Sequence, residues 1–149
     1  MARWAKLPEW TLDAWHNQPV EWTSLAGSPV MVLFFHRRCD GCVSLALPQA
    51  ELMHRDHASR GVRVVALHSA LGDGAGKGLP SFLAAGGYTL PVAVDAVGDD
   101  WKPRTMHDWA VDGTPTLVLL DKRGQLRLKK LGHMDDTRLS AALEQLLAE

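Results

Sequence analysis

Cys39 and Cys42 are the only two cysteines in the 149 residues, and Asp40 and Gly41 separate them. Thiols at this spacing sit one helical turn apart, close enough for the second to attack a mixed disulfide formed by the first. If the turn opens a helix, its unpaired amides and its dipole favour a thiolate on the leading cysteine. Cys39 is therefore expected to be a nucleophile of low pKa and Cys42 the thiol that resolves it. Arg37 and Arg38 place positive charge just before Cys39 and would tune it further downward, while Asp40 opposes them. A structural disulfide is a poor use of this pair, because so short a loop gains little from restricting the unfolded chain. Two other uses remain open on the residues alone. The pair could be inert and apolar in a core, or it could bind a metal, for which His36, His133 or another residue would have to complete about four ligands.

The cysteines need a strand before them and a helix after them, and the chain supplies both. Val30 to Phe35 is an unbroken β-branched and aromatic run that suits a buried central strand. Beyond Cys42, apolar residues from Val43 to Met53 recur at helical spacing, the helix ending by Gly61 with a kink expected at Pro48. Val62–Leu67 reads as a second strand, reached by a crossover long enough for parallel pairing. A glycine-rich loop over 72–78, a short helix near Ser81–Ala85, a strand over Leu90–Val94 and an irregular helix within 99–110, marked by Trp101, Met106 and Trp109, follow. Thr116–Leu120 and Gln125–Leu131 form a hairpin, with Arg127 and Lys129 expected to face water from an edge strand. A last helix, capped by Asp135 or Asp136, carries Leu139, Leu143 and Leu146 on one face. The order predicts an α/β fold, a central mixed sheet with helices on both faces. Residues 1–149 form one domain in this reading, with 1–29 an N-terminal extension, a short hairpin or an extended lead, packed on the core through Trp10, Trp15 and Trp22.

Composition narrows the function. With 46% hydrophobic residues and a formal net charge of −1, the chain can bury a core but has no overall cationic field to gather nucleic acid. The longest apolar run is far short of the roughly 20 residues of a membrane span, so no membrane insertion is expected. Two positive charges near the start are followed by Pro8 and Glu9 and by no apolar stretch, which predicts a cytoplasmic protein. The loop over 72–78 fails the phosphate-binding pattern, since Leu71 stands where the first glycine belongs and Gly78 where Ser or Thr should follow the lysine. His54 and His57 read as a solvated pair.

Taken together, these motifs resemble the thioredoxin-like superfamily, and within it the TlpA- and ResA-like thiol:disulfide oxidoreductases related to redoxins and thiol-specific antioxidant proteins. The resemblance runs through Leu-Pro-Glu-Trp-Thr-Leu-Asp at 7–13, Leu-Ala-Gly-Ser-Pro-Val at 25–30, Cys39-Asp-Gly-Cys42, Leu-Pro-Val-Ala-Val-Asp at 90–95, Val-Asp-Gly-Thr-Pro-Thr at 111–116 and Leu-Asp-Lys-Arg-Gly at 120–124. It implies a thioredoxin-like fold and reduction of disulfides in a protein or small molecule, with an external thiol reductant restoring the dithiol. No flavin, metal or nucleotide cofactor is implied. It also implies that Pro115 is cis and lies against the cysteines, with the Thr114 backbone guiding the incoming substrate.

The departures from the family pattern are specific. Arg38 replaces the aromatic residue that usually precedes the first cysteine, within a His36-Arg37-Arg38 approach. Leu33 stands where thioredoxin has a buried aspartate, and Leu45 where related reductases have a glutamate. Water or His36 is then expected to take the Cys42 proton. A peroxiredoxin-like peroxidase is the weaker enzyme reading, because Val32 and His36 occupy the positions of that family's proline and hydroxyl residue. A non-catalytic binding or redox-sensing module is the other alternative, and the sequence leaves the oligomeric state open.

Overall fold

The apolar run Val30–Phe35 becomes β2, and every one of its residues is buried. A computed structural model describes residues 6–70, 77–98 and 102–149. In it β2 has neighbours on both sides: β3 (Arg63–His68) runs parallel to it and β5 (Thr116–Leu120) antiparallel. The full sheet also contains β1 (Leu12–His16), β4 (Val92–Asp95) and β6 (Leu126–Leu131), in the order β1-β4-β3-β2-β5-β6. β4 is parallel to β3, while β1 and β6 are antiparallel to their neighbours and close the two edges. The sheet is mixed, as the element order predicts.

Alternate residues of β2 face two cores. Met31, Leu33 and Phe35 pack with Cys42, Leu47, Ala50 and Met53, with Leu79 and Leu83, and with Leu139, Leu143 and Leu146. Apart from Cys42, those residues come from three helices: α1 (Leu47–His57), α2 (Leu79–Gly86) and α4 (Asp136–Ala148). Val30, Val32 and Phe34 face Trp10, Leu25, Met106, Trp109 and Val111 on the other side, where α3 (Arg104–Asp108) lies. Trp10 packs edge-on against both Trp15 and Trp22, at centroid distances of 5.5 and 5.1 Å. Helices thus cover both faces. Asp135 caps α4 by accepting the Arg138 amide at 2.9 Å.

Several elements differ from expectation for identifiable reasons. Residues 12–16 form a full strand on β4 rather than a hairpin or a lead, shielding an edge that would otherwise be open. Pro91 delays β4 until Val92, since proline cannot donate to a ladder. The helix after the cysteines is widened rather than simply kinked. Cys42–Ala46 form a π-helical stretch, the Leu47 amide bonds Cys42, and Pro48 falls in the first turn of α1, where its missing donor is harmless. His57 is not solvated: it is 4% exposed, with Nε2 3.3 Å from the Ser140 hydroxyl and 3.5 Å from Glu144, joining α1 to α4. Arg127 turns from water to pair with Glu149 at 2.5 Å. Of the glycine-rich loop, residues 72–76 lie outside the described residues, as does Trp101; Gly78 adopts φ +79° as it opens α2.

Candidate active site

Cys39 stands where β2 hands over to the helix. The chain leaves the sheet at Phe35, turns through His36–Arg38, and the Cys39 amide returns to the His36 carbonyl at 3.0 Å. The Cys39 carbonyl accepts the Val43 amide at 3.0 Å, the first helical bond of the segment. Its sulfur accepts the Cys42 amide at 3.3 Å, so Cys39 takes the capping position with sulfur in place of the usual oxygen. The thiol in turn donates toward the Thr114 carbonyl at 3.7 Å. Both cysteines are free thiols, Cys39 partly exposed and Cys42 fully enclosed.

The two sulfurs are driven apart in acidity. Burial pushes the Cys39 thiol up, but hydrogen bonds from the Cys42 thiol and amide, the Thr114 hydroxyl and the Gly41 amide outweigh it, and the net shift is downward. Burial pushes Cys42 up to about 12, aided by its hydrogen bond to Cys39 and by the negative charge there. One thiol is poised to ionise and the other to keep its proton. That asymmetry suits thiol–disulfide exchange.

The Thr114–Pro115 bond is cis. Pro115 lies over the start of the helix, its Cδ 3.9 Å from where a Cβ on Gly41 would stand. The strand beyond is pinned on both sides, with Thr116 Oγ1 donating to the Gly113 carbonyl at 2.7 Å and the Gly132 amide donating to the Pro115 carbonyl at 2.8 Å. Thr114 and Cys39, 75 residues apart in the chain, are thereby brought together.

The residues expected to tune Cys39 are placed less directly. Arg38 and Asp40 are exposed, and the Asp40 carbonyl accepts the Ser44 hydroxyl at 2.6 Å. The guanidinium of Arg37 lies by Gly78, with Nη2 3.2 Å from the position a Cβ there would occupy. The arginine charges bear on His36, whose pKa is lowered by burial and then by Arg38 and Arg37. The leading influences on Cys39 are instead hydrogen bonds. His36 meets Cys42 through its main chain, while its Nδ1 accepts the Arg38 amide at 3.0 Å. Leu33 is buried in the cluster that holds Cys42, and Leu45 is 51% exposed. Among the described residues, no group of three or more His, Cys, Asp or Glu could hold a metal ion, and no helix is long and apolar enough to cross a membrane.

One neighbour of the site was not singled out by sequence reasoning. His68 ends β3 directly opposite Phe35 in the parallel register, 1% exposed, with its ring 5.1 Å from Phe35 and 6.0 Å from His36. Its Nε2 accepts the Arg37 amide at 3.3 Å. The signal was there in Val-Val-Ala-Leu-His at 64–68, an apolar buried strand closed by one polar residue.

The redoxin family profile matches residues 5–147. No curated protein matches the sequence. Among solved structures, the chain is similar to a thioredoxin-like superfamily protein, 31% identical over 97% of each chain with a TM-score of 0.89. It is also similar to a thiol-disulfide isomerase from Corynebacterium glutamicum, 33% identical over 96% of each chain at TM-score 0.88. A thiol:disulfide interchange protein DsbE from Chlorobium tepidum is 25% identical over 99% of each chain at TM-score 0.80. The cytoplasmic location expected from the first residues is overturned by the likeness to that DsbE. The expectation rested on the opening residues alone, and those do not fix the compartment. With the profile spanning nearly its whole length, the chain belongs to the redoxin family.

Proposed function

We propose that the protein is a thiol:disulfide oxidoreductase of the TlpA- and ResA-like kind, with Cys39 as nucleophile and Cys42 as resolving thiol. The observation that carries this reading is the inequality of the pair: a partly exposed Cys39 of lowered pKa, and an enclosed Cys42 raised to about 12. The Cys39 thiolate attacks a disulfide in a protein or small molecule, forming a mixed disulfide and releasing one substrate thiolate. Cys42 then attacks the Cys39 sulfur, releasing the second thiolate and leaving a Cys39–Cys42 disulfide. Two electrons pass to the substrate, and an external thiol reductant returns them. Thr114 and Pro115 position the incoming disulfide beside Cys39, while His36, Arg37, Arg38 and Asp40 shape its approach. Residues 1–29 act as an extension of a single domain, a reading supported by Trp10 and Leu25 in the core.

The test is reduction of insulin disulfides with dithiothreitol as donor. Turnover that falls to background in Cys39→Ser is expected; turnover unchanged in that variant refutes the reading.

A further inference from the structure

Three successive amides lead into Cys39, and histidines receive all of them. The Arg37 amide goes to His68 Nε2, the Arg38 amide to His36 Nδ1, and the Cys39 amide to the His36 carbonyl. An imidazole nitrogen accepts only when it carries no proton, so the first bond fixes the tautomer of His68: Nε2 bare, Nδ1 protonated. His68 Nδ1 is buried and has no hydrogen-bond partner among the described residues. An enclosed donor without an acceptor works against stability, and an apolar residue of similar shape would avoid that cost. Packing alone therefore gives a poor account of a histidine at this place.

We propose that His68 is a positioning residue for Cys39: its neutral ring, acting as an acceptor from the end of β3, holds the turn that delivers the nucleophile to the start of the helix. The role deepens, and rests on, the reading of Cys39 as the attacking thiol. Arg37 is the link, since its amide is tied to His68 only two residues before the cysteine. The charged or titratable groups that bear on the ring are His36 and Arg37 from the turn and His16 from the end of β1, and each of them opposes a proton on it. The surroundings thus keep His68 in the form that can accept. Cys39 keeps its bond from the Cys42 amide only while the turn places its sulfur there.

Two substitutions separate accepting from filling space. His68→Gln sets a carbonyl oxygen near the place of Nε2, whereas His68→Leu fills the site without an acceptor. In His68→Leu the rate of Cys39 alkylation by iodoacetamide at slightly acid pH is expected to fall about threefold to tenfold, the loss that one hydrogen bond brings. His68→Gln should recover most of it. An unchanged rate in a folded His68→Leu protein overturns the proposal, and so does equal loss in both variants, which would mean that shape alone matters. Should either variant fail to fold, the nitrogen-15 shifts of the wild-type imidazole decide: a proton on Nδ1 is expected, and a proton on Nε2 overturns the proposal. Neither readout involves turnover of a disulfide. A protein that leaves insulin untouched could still show the His68 effect, and an active one could lack it.

Discussion

Iodoacetamide added to the reduced protein at about pH 7 meets two thiols of unequal standing. Alkylation proceeds through the thiolate, so the population of that form sets the rate wherever the reagent can reach. Cys42 is raised from 9.0 to about 12. Each unit is a factor of ten in thiolate, so below pH 9 the reactive form is about a thousandfold scarcer than at an ordinary thiol. Cys42 is also 0% exposed, which slows the reagent further. Cys39, partly exposed and shifted the other way, should take the label faster than a free cysteine. Intact mass over time gives the stoichiometry, and peptide masses give the site. One adduct, on Cys39, is expected, with a second growing at least about a thousandfold more slowly than on a free thiol. Unfolding in guanidinium should bring the two rates together. Two adducts forming at comparable rates in the folded protein, or a first adduct on Cys42, would refute the assigned inequality and with it the division of labour.

In Cys42→Ser, the covalent complex between Cys39 and a disulfide substrate should persist on a non-reducing gel, because no second sulfur can release it; rapid release there would remove Cys42 from the resolving role. Burial, and then the charges of His36, Arg37 and His16, push His68 down from 6.5 to about 4, so the unfolded chain binds the proton first as pH falls. Stability should therefore decline between about pH 6.5 and 4 by roughly 3 kcal/mol, then level off, and urea titrations of His68→Gln should show a shallower slope over that window. Glu51 has the opposite charge type. Despite the upward push of burial, its bonds from Thr89, Arg55 and Leu90 lower it from 4.5 to about 2. It contributes stability that is present above its unfolded value and lost as pH falls from about 4.5 to 2, again roughly 3 kcal/mol. Glu51→Gln should be destabilised at neutral pH and lose that acid slope; chemical denaturation at several pH values measures both. Gly78→Ala forces a side chain onto φ +79° beside the Arg37 guanidinium and should lower stability by about 1 kcal/mol, read as a drop in Tm.

What the sequence made legible was local. Val30–Phe35 announced a buried strand by composition, and the cysteine spacing pointed to the proposed thiol exchange, because each signal lies within a few residues. β1 did not announce itself. Leu12–His16 carries Asp13 and His16, and it is a strand through pairing with β4, some 80 residues later: Leu12 faces Asp95 across the sheet. Burial of histidines was equally hidden. His57 lies on the α1 face that meets α4, and its partners Ser140 and Glu144 come from the far end of the chain. The place of Pro48 was visible, but the π-helical stretch before it was not, because whether a helix kinks or widens depends on what packs around it. The charges of Arg37 and Arg38 were plain to see, yet their direction was not. A side chain next to Cys39 in sequence can turn away, and that of Arg37 lies by Gly78.

Leucine at positions 33 and 45 leaves Cys42, the resolving thiol of the proposed exchange, without the carboxylates that the resemblance would supply. Leu33 shares the buried cluster of Cys42, so the environment there withholds charge rather than offering a base. Burial contributes most to the high pKa of Cys42, but two further contributions come from Cys39: the hydrogen bond between the thiols and the charge on the leading sulfur. The charge exists only while Cys39 is a thiolate, and the hydrogen bond is strongest then. Once that sulfur is bonded to a substrate sulfur, the charge is gone and the hydrogen bond is weakened, and what remains is burial, set against the bonds from the His36 main chain and Thr114 that favour ionisation. Under the proposed exchange, Cys42 would thus give up its proton most readily in the one state that offers it a disulfide to attack. In that proposed reaction the order of the two steps would follow from the coupling of the sulfurs, without a dedicated acid or base at either leucine.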